Sequence, residues 1–446
     1  MGFIRGAMFT AAIVSQHLDN ARTKKDIRRI YQETTDTNYV NRGVLALPHV
    51  NKQQLLLTTK DAADNDVYDY KANSSTPGID YIWGEFADSE STVISGGKSD
   101  ARARALMPFV NKSQGRGIPI IALHSGNREL EMMLEKNSVA CEIISKTGLY
   151  YNGFRTLPVE DMAYLLFETM PEDTSPNAES VIRALLEILL RIEGKVSFQN
   201  LATFPLVKLM TMLDDLKADG RITADEHDDI SADYMAGSSE VNAVRSFLSR
   251  LNRQADSIFG KSKTNAGNIR KILNQKGVVA IDVGVGGNEL VISFMLNHIR
   301  LLQTVGREFA IIIDGLTIGK HEGICDVLRG GLYAICHNDF VSSLHSGERS
   351  ANDLFSELTG DVRTIILLNH NSGTSCQKWS EHLGKYHKIR IKMNISSTTS
   401  MTMGGNTRGI TVDEEDEPRV RAETLSMLPE PMACINRGNE TLFAEV

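Results

Sequence analysis

The chain has 446 residues, which is enough for about three domains and a sizeable buried core. A hydrophobic fraction of 41% and a charged fraction of 23% are close to average globular usage, which excludes a disordered chain, a collagen-like chain and a short disulfide scaffold. The 56 acidic and 48 basic residues give a net charge of -8, so the molecule as a whole does not attract phosphate backbones, although a local basic channel stays open as an alternative.

The five cysteines argue against a disulfide framework and against a zinc ribbon, because they are odd in number, widely spaced and without a CxxC pair. No stretch approaches the ~18 to 20 apolar residues that a membrane-spanning helix requires. We therefore expect a cytoplasmic protein without a transmembrane segment, which contacts a membrane only through its partners.

The first 90 residues carry little pattern and are interpreted as a docking segment. They predict a short helix at 26–32 and weak apolar strands at 43–47 and 54–58. A strand at 91–94, a helix at 101–110 and a strand at 118–123 then form a βαβ unit, which favours a parallel sheet, and a further strand follows at 140–144.

From residue 159 to 259 the apolar period changes to 3.6, which predicts an inserted all-α domain. Val/Ile/Leu-rich strands of the buried type then return, at 277–283, 309–313, 331–336 and 362–368. The predicted fold is α/β: a RecA-like, doubly wound, mostly parallel sheet flanked by helices, with its core at 91–158 and 260–446. The tail has a Gly/Ser/Thr/Met stretch at 396–409, an acidic run at 413–417 and an apolar strand at 432–435.

The loop after the first core strand lies where a phosphate-binding loop is expected. Such a loop needs glycines that turn backbone N–H groups inward, a lysine for the terminal phosphates and a hydroxyl for magnesium, as in GxxxxGK[ST]. One register uses Gly97, Lys98 and Ser99 as the G-K-S and has Thr92 in place of the first glycine. The other has Ser95, Asp100, Ala101 and Arg102 where Gly, Gly, Lys and Ser/Thr belong. Neither register is intact, and the candidate cofactor-binding residues are Ser95, Gly96, Gly97, Lys98, Ser99, Ala101 and Arg102.

Asp314 ends an apolar strand, which is where nucleotide-hydrolysing proteins of this loop type hold magnesium. Asp282 ends a strand of the same kind. An aspartate in this position is also common turn chemistry, so both interpretations stay open. A glutamate beside the magnesium ligand orients the attacking water in hydrolysing members, but here the next residue is Gly315.

The order of these features resembles the type IV secretion coupling proteins, the TraG/TraD-type conjugative DNA-transfer ATPases of the FtsK/HerA class. The resemblance covers roughly residues 90 to 435. In that family a Gly-Gly-x-Gly-Ser-Gly-Lys-Thr loop and a short helix ended by proline match residues 93–108 without a gap, which makes the second register the better one. Four further segments resemble motifs of the family. Residues 123–130 are similar to an Asp-Pro-Lys-Gly-Glu-Leu segment, and residues 151–154 are similar to a Tyr-Asn-Pro-Phe turn. Residues 331–338 are similar to a strand ending in Gln-Ser, and residues 380–385 are similar to a Ser-x-x-Leu-Gly-Lys helix.

The resemblance implies a protein that has kept the fold of this family and lost its catalytic residues. Ala101 occupies the position of the phosphate lysine, Gly315 that of the catalytic glutamate, and His337 that of the sensor glutamine. His337 and Asp314 are then the remnant of the catalytic residues. ATP and Mg²⁺ are then implied as ligands only if the altered loop still binds the nucleotide, with Asp314 as the magnesium ligand. Loss of these groups lowers both nucleotide affinity and turnover.

Three hypotheses follow. The first is a non-hydrolysing, coupling-protein-like subunit that forms a homo-oligomer, or a hetero-oligomer with an active paralogue, and recruits DNA or a relaxase-type protein cargo. The second is an active, divergent ATPase that drives DNA translocation, with Lys98 moved into the phosphate site. The third is an interaction scaffold that uses neither nucleotide nor DNA. Lys98 is interpreted either as a remnant phosphate or DNA contact or as an ordinary surface lysine.

Overall fold

The computed structural model describes residues 24–46, except 36, 39 and 40, and residues 91–446, except 261–265, 287, 307, 322, 330, 346–348, 401, 402, 438 and 439. The chain forms two compact units, residues 79–368 and residues 1–78 with 369–445. In the N-terminal part, residues 24–35 are helical and strand β1 covers Val44–Ala46. The expected strand at 54–58 lies outside the described residues.

The unit of residues 79–368 is built on seven parallel strands: β2 (Thr92–Ser95), β3 (Ile120–His124), β4 (Cys141–Ile144), β5 (Val278–Asp282), β6 (Ala310–Asp314), β7 (Tyr333–His337) and β8 (Thr364–Leu367). Their spatial order is β8-β2-β7-β6-β3-β5-β4. The apolar residues of the central strands are fully buried, as expected where helices cover both faces of a parallel sheet. This is the α/β class expected from the sequence.

The helices of this unit come between the strands and in one long insertion. Those next to the sheet are α1 (Ser99–Gly115), α2 (Arg128–Asn137), α9 (Ile269–Asn274), α10 (Glu289–Thr304), α11 (Gly323–Arg329), α12 (Phe340–Ser343) and α13 (Ala351–Gly360). Those of the insertion are α3 (Val159–Phe167), α4 (Asn177–Glu193), α5 (Phe198–Thr203), α6 (Leu209–Ala218), α7 (Ala224–Ala236) and α8 (Val241–Phe259). The limits expected for an inserted domain, 159–259, stay a prediction.

An aromatic cluster joins the inserted helices to the helix layer of the sheet. The ring of Tyr151 stacks on that of Phe259 at a centroid distance of 5.6 Å, and Phe198 meets Phe294 edge to face at 5.1 Å. All four rings are at most 2% exposed. Because such pairs add to the free energy of area burial, this cluster fixes the insertion on the core.

The unit of residues 1–78 and 369–445 contains a small sheet and a long hairpin. Its elements after residue 369 are α14 (Gly373–His382), β9 (Lys385–Ser400), β10 (Met403–Pro418), α15 (Ala422–Ser426), β11 (Met432–Arg437) and β12 (Glu440–Glu445). Strand β12 pairs in parallel with β1 and antiparallel with β11, while β9 and β10 pair with each other over 16 residues each. The sequence patterns at 396–409 and 413–417 gave no indication of this hairpin.

Among the described residues, none of the helices has both the length and the apolar character needed to cross a membrane.

Candidate functional site

The carboxyl ends of five neighbouring strands place polar side chains in a row at one edge of the sheet. Ser95 lies opposite His337 in the register, and His124 lies opposite both Asp314 and Asp282. This edge is where open parallel sheets bind ligands. One strand, β7, separates the strand before the glycine loop from the strand that ends in Asp314.

The glycine loop is short and tightly packed. Gly96 and Gly97 have φ angles of 92° and 68°, which favour glycine, and the helix α1 already begins at Ser99. The amide of Gly96 donates to the carbonyl oxygen of His337 at 3.0 Å. A Cβ on Gly97 would lie 2.8 Å from Cδ1 of Leu368, so this turn packs directly against a side chain. The residues that should cradle phosphate in the better register, Asp100 to Arg102, lie in the first turn of α1.

Arg102 reaches back from the helix and occupies the space between the loop and the end of β6. Its Nη1 donates to the carbonyl oxygen of Gly97 at 2.9 Å, and its Nε donates to Oδ1 of Asp314 at 3.1 Å. The two side chains are 9% and 2% exposed, so this is a buried ion pair. One guanidinium thereby ties the loop carbonyl to the strand-end carboxylate.

Asn127 completes the environment of Asp314. Its Nδ2 donates to Oδ2 of Asp314 at 2.6 Å, while its Oδ1 accepts from the amide of Leu130 and caps α2. Both carboxylate oxygens of Asp314 therefore have a protein partner. Sequence reasoning did not select Asn127 as a site residue. The available signal was its place in the segment 123–130, which the resemblance aligns with a charged family motif.

The other predicted site residues are dispersed around this ion pair. Ala101 is buried in α1, and Lys98 and Ser99 are exposed at its start. His337 is half-buried, and its Nδ1 accepts from the amide of Asp339, so its ring stabilises the turn that follows β7. Burial lowers the pKa of His337 below its ordinary value. The structure brings Gly97, Arg102 and Asp314 together and leaves Lys98 and Ala101 outside the contact.

A second group at the same edge consists of His124, Glu131 and Asp282, whose nearest ligand-type atoms lie within 4.8 Å of one another. His124 is fully buried, and its Nδ1 accepts from the amide of Asn127 at 3.2 Å. A neutral ring that accepts at Nδ1 carries its proton on Nε2, which is 3.5 Å from Oε1 of Glu131 and makes no hydrogen bond to the residues that the structure describes. Burial lowers the pKa of His124 and raises that of Glu131. In this tautomer Nε2 has no lone pair with which to coordinate a metal.

The arrangement does not fit a magnesium nucleotide. A phosphate-binding loop offers inward N–H groups and a lysine, and the magnesium needs free carboxylate or hydroxyl oxygens. Here the Gly97 carbonyl faces the guanidinium, Ala101 stands at the lysine position, and Arg102 and Asn127 hold Asp314. What the site can do is hold the loop, the first turn of α1 and the end of β6 in one closed arrangement.

Comparisons with known proteins give a likeness of structure. No protein-family model matches the chain, and no curated protein sequence matches it. The unbound monoclinic form of the bacterial conjugative coupling protein TrwBdeltaN70 is 14% identical, with a TM-score of 0.50 over 81% of this chain and 85% of that one. The plasmid coupling protein TrwB in complex with ADP and Mg²⁺ is 13% identical, with a TM-score of 0.49 over 80% and 86%. VirB4 of Thermoanaerobacter pseudethanolicus is 10% identical, with a TM-score of 0.40 over 82% and 92%.

The first of these likenesses covers most of both chains and agrees with the seven-stranded parallel sheet and its helical flanks. The chain therefore has the RecA-like fold of the bacterial conjugative coupling protein.

Proposed function

We propose that the chain is a coupling-protein-like, non-hydrolysing component of a type IV secretion or conjugation-type transfer machine, which acts by assembly and by recruitment of DNA or protein cargo. The observation that carries the proposal is the position of Arg102. Its guanidinium lies between the loop carbonyl and Asp314, where a working site would place phosphate and magnesium.

The energetics support a permanent role for this pair. A magnesium nucleotide would have to separate Arg102 from Asp314, and the loss of one partner from such a buried pair typically costs about 3–5 kcal/mol. At the lysine position Ala101 offers no charge in return. Binding of Mg–ATP is thus opposed by the existing ion pair, and the fold is retained for docking rather than for hydrolysis.

The test is equilibrium binding of Mg–ATP to the full chain, followed by phosphate release. We expect no binding up to millimolar ATP for the wild type, for Lys98→Ala or for Asp314→Ala. A quadruple variant, Ser95→Gly and Asp100→Gly with Ala101→Lys and Arg102→Ser, rebuilds the second register and is expected to gain binding. Thermal unfolding gives an independent readout, because ATP at 100 times its Kd stabilises a protein by about 2.7 kcal/mol.

Micromolar binding by the wild type that is lost in Lys98→Ala and Asp314→Ala, with turnover, would contradict the proposal. It would favour the active ATPase instead, with exposed Lys98 as the phosphate lysine. Retention on DNA that falls steeply with salt separates the cargo-recruiting subunit from a scaffold that binds no DNA.

A further inference from the structure

A histidine in the insertion lies between aspartates of two neighbouring helices. His227 belongs to the first turn of α7, and its Nε2 is 2.9 Å from Oδ1 of Asp214 on α6. Its Nδ1 is 3.0 Å from Oδ1 of Asp228, the next residue of α7. The histidine side chain is 14% exposed, whereas the two aspartates are 68% and 74% exposed. The ring therefore lies between the two helices, while both carboxylates remain in contact with water.

The two contacts together require a doubly protonated ring. An ionised carboxylate has no proton to donate, so each ring nitrogen forms a hydrogen bond with it only when that nitrogen carries a proton. The neutral ring carries one proton and keeps one of the two bonds, and its other nitrogen then turns a lone pair towards a carboxylate. Hydrogen bonds to Asp228 and Asp214 accordingly raise the pKa of His227 above its ordinary 6.5. The bridge between the helices thus depends on a proton.

Other charges around the ring act less strongly. Lys217 of α6 has its Nζ 3.9 Å from Oδ1 of Asp228, and its charge lowers the pKa of His227 by less than the two hydrogen bonds raise it. The positive N-terminal end of α7 opposes a cation in the same way. Arg191 of α4 reaches this turn of α7, but it pairs there with Glu226 at 2.7 Å. The net effect favours the charged ring.

Helix α7 is attached to α4 by contacts that do not need this proton. Arg183 of α4 lies 3.7 Å from Asp233 of α7. A Cβ on Gly237, directly after α7, would collide with the carbonyl oxygen of Asn177 at the start of α4, so the two main chains touch there. Guanidinium and carboxylate groups of such pairs keep their charge from about pH 6 to about pH 9. Helix α7 therefore stays on α4 when His227 loses its proton.

Helix α6 is held by an apolar face and by polar contacts to α7. The apolar face consists of three buried leucines, four and three residues apart: Leu209, Leu213 and Leu216. The hydroxyl of Tyr234 on α7 donates to the carbonyl oxygen of Leu206, just before α6, at 3.2 Å. Neither kind of contact titrates near neutral pH. The contact of His227 with Asp214, in the middle of α6, does.

We propose that His227 is a proton-dependent clasp, which holds α6 on α7 through Asp214 and Asp228 while its ring is charged and gives up this hold when the ring loses a proton. Histidine suits this role, because it is the side chain that changes its charge near neutral pH. Loss of the proton removes one of the two hydrogen bonds and takes away the cation between two negative charges on different helices.

The size of the effect follows from the exposure of the aspartates. Exposed ion pairs are weak, so loss of the clasp should raise the frequency with which α6 opens about three- to fivefold. The three leucines keep α6 docked in most molecules at every pH. Each opening uncovers this apolar face, so the clasp couples pH to the apolar surface that the insertion presents. The clasp uses none of the residues of the candidate site, so the inference goes beyond the proposed function and does not rest on it.

The test is amide hydrogen exchange of the full chain, measured by mass spectrometry from about pH 6 to about pH 9. Rates in α6 are divided by the intrinsic rate at each pH, and α8 serves as the internal reference. A raised pKa in the folded state means that the stabilisation is complete below about pH 6.5 and is lost as the pH rises through the folded pKa. We therefore expect the protection of α6 relative to α8 to fall about three- to fivefold towards high pH.

Two substitutions at one position separate the charge from the proton. His227→Arg keeps a permanent cation between the aspartates, so α6 should stay protected at every pH. His227→Gln has no charge, so α6 should exchange at low pH as fast as it does in the wild type at high pH. The matched control is His345→Arg, which makes the same change at an exposed histidine outside the insertion and should leave the pH dependence of α6 as it is.

The wild type alone can overturn the proposal, so the outcome does not depend on how well a variant folds. Protection of α6 that is constant over this pH range, or that falls towards low pH, would overturn it. The ring carbon signal of His227 in NMR must titrate over the same pH range in which the protection changes, and two different ranges would overturn it as well. So would a pH dependence that His227→Arg retains.

Discussion

Removing Arg102 should reveal how much the closed loop contributes to the stability of the fold. Arg102→Met keeps the length of the aliphatic stem but leaves the carboxylate of Asp314, which is 1% exposed, with Asn127 as its remaining hydrogen-bond donor. Breaking a buried ion pair from one side typically costs about 3–5 kcal/mol, because the remaining charge stays desolvated. We expect a loss of that size in the free energy of unfolding.

Equilibrium urea unfolding measures this loss, and two further variants isolate its cause. Arg104→Met, on the same helix, removes an exposed pair with Asp100 at 3.1 Å and should cost only about 0.3–0.5 kcal/mol. Asp314→Asn leaves the guanidinium without its carboxylate and should cost about as much as Arg102→Met. The double variant should lose less than the sum, with a coupling free energy of about 2–3 kcal/mol. If Arg102→Met and Arg104→Met proved equally mild, the argument that Arg102 holds the site closed would be refuted.

Three further predictions concern the loop, the core and the hairpin. Gly97→Ala should cost about 1–3 kcal/mol of unfolding free energy, because it adds a Cβ against Leu368 at positive φ; thermal unfolding measures it, and a neutral result would contradict the packed loop. Burial lowers the pKa of His298 to about 4, below its ordinary 6.5, so the folded state binds this proton less readily than the unfolded state. Stability therefore falls as the pH drops below about 6.5, by about 3 kcal/mol at pH 4. In urea unfolding at several pH values, His298→Gln should flatten this dependence of stability on pH. Burial would raise the pKa of Glu417, but hydrogen bonds from Arg390 and Lys388 outweigh it and lower the pKa. Glu417→Gln should therefore cost about 3 kcal/mol of unfolding free energy at neutral pH, stability that the wild type itself loses only in acid. If the wild type and the variant lost stability equally as the pH falls, this prediction would be refuted.

Much of the fold was predictable because it depends on local pattern. The near-continuous apolar runs before Asp282 and Asp314 can be buried on both faces only in a parallel sheet, and the structure confirms the α/β class. The 16-residue strands β9 and β10 were not predicted. A strand signal was present in β9, where the apolar residues Ile389, Ile391, Met393 and Ile395 alternate with polar ones, but sequence reasoning did not use it. The serine, threonine, glycine and acidic residues in the rest of the hairpin show no such alternation.

Three residues that meet at the sheet edge were among the predicted site residues, but their contacts were not predicted. Gly97, Arg102 and Asp314 stood out by their places after strands, yet Arg102 was interpreted as a substitute for a hydroxyl. That its guanidinium closes onto an aspartate 212 residues away depends on the order of the strands, which no local pattern contains. Asn127 was missed for the same reason.

The sequence by itself determined the periods of burial, and therefore the α/β class, and it places an alanine, Ala101, where the resemblance puts the phosphate lysine. Only the tertiary structure decided which groups surround Asp314. Parallel strands bring distant residues to one edge, and burial there strengthens the pairing of Arg102 with Asp314, which exists only because the fold brings the two groups into contact. Such an interaction is a property of the folded arrangement and has no counterpart in the order of residues along the chain.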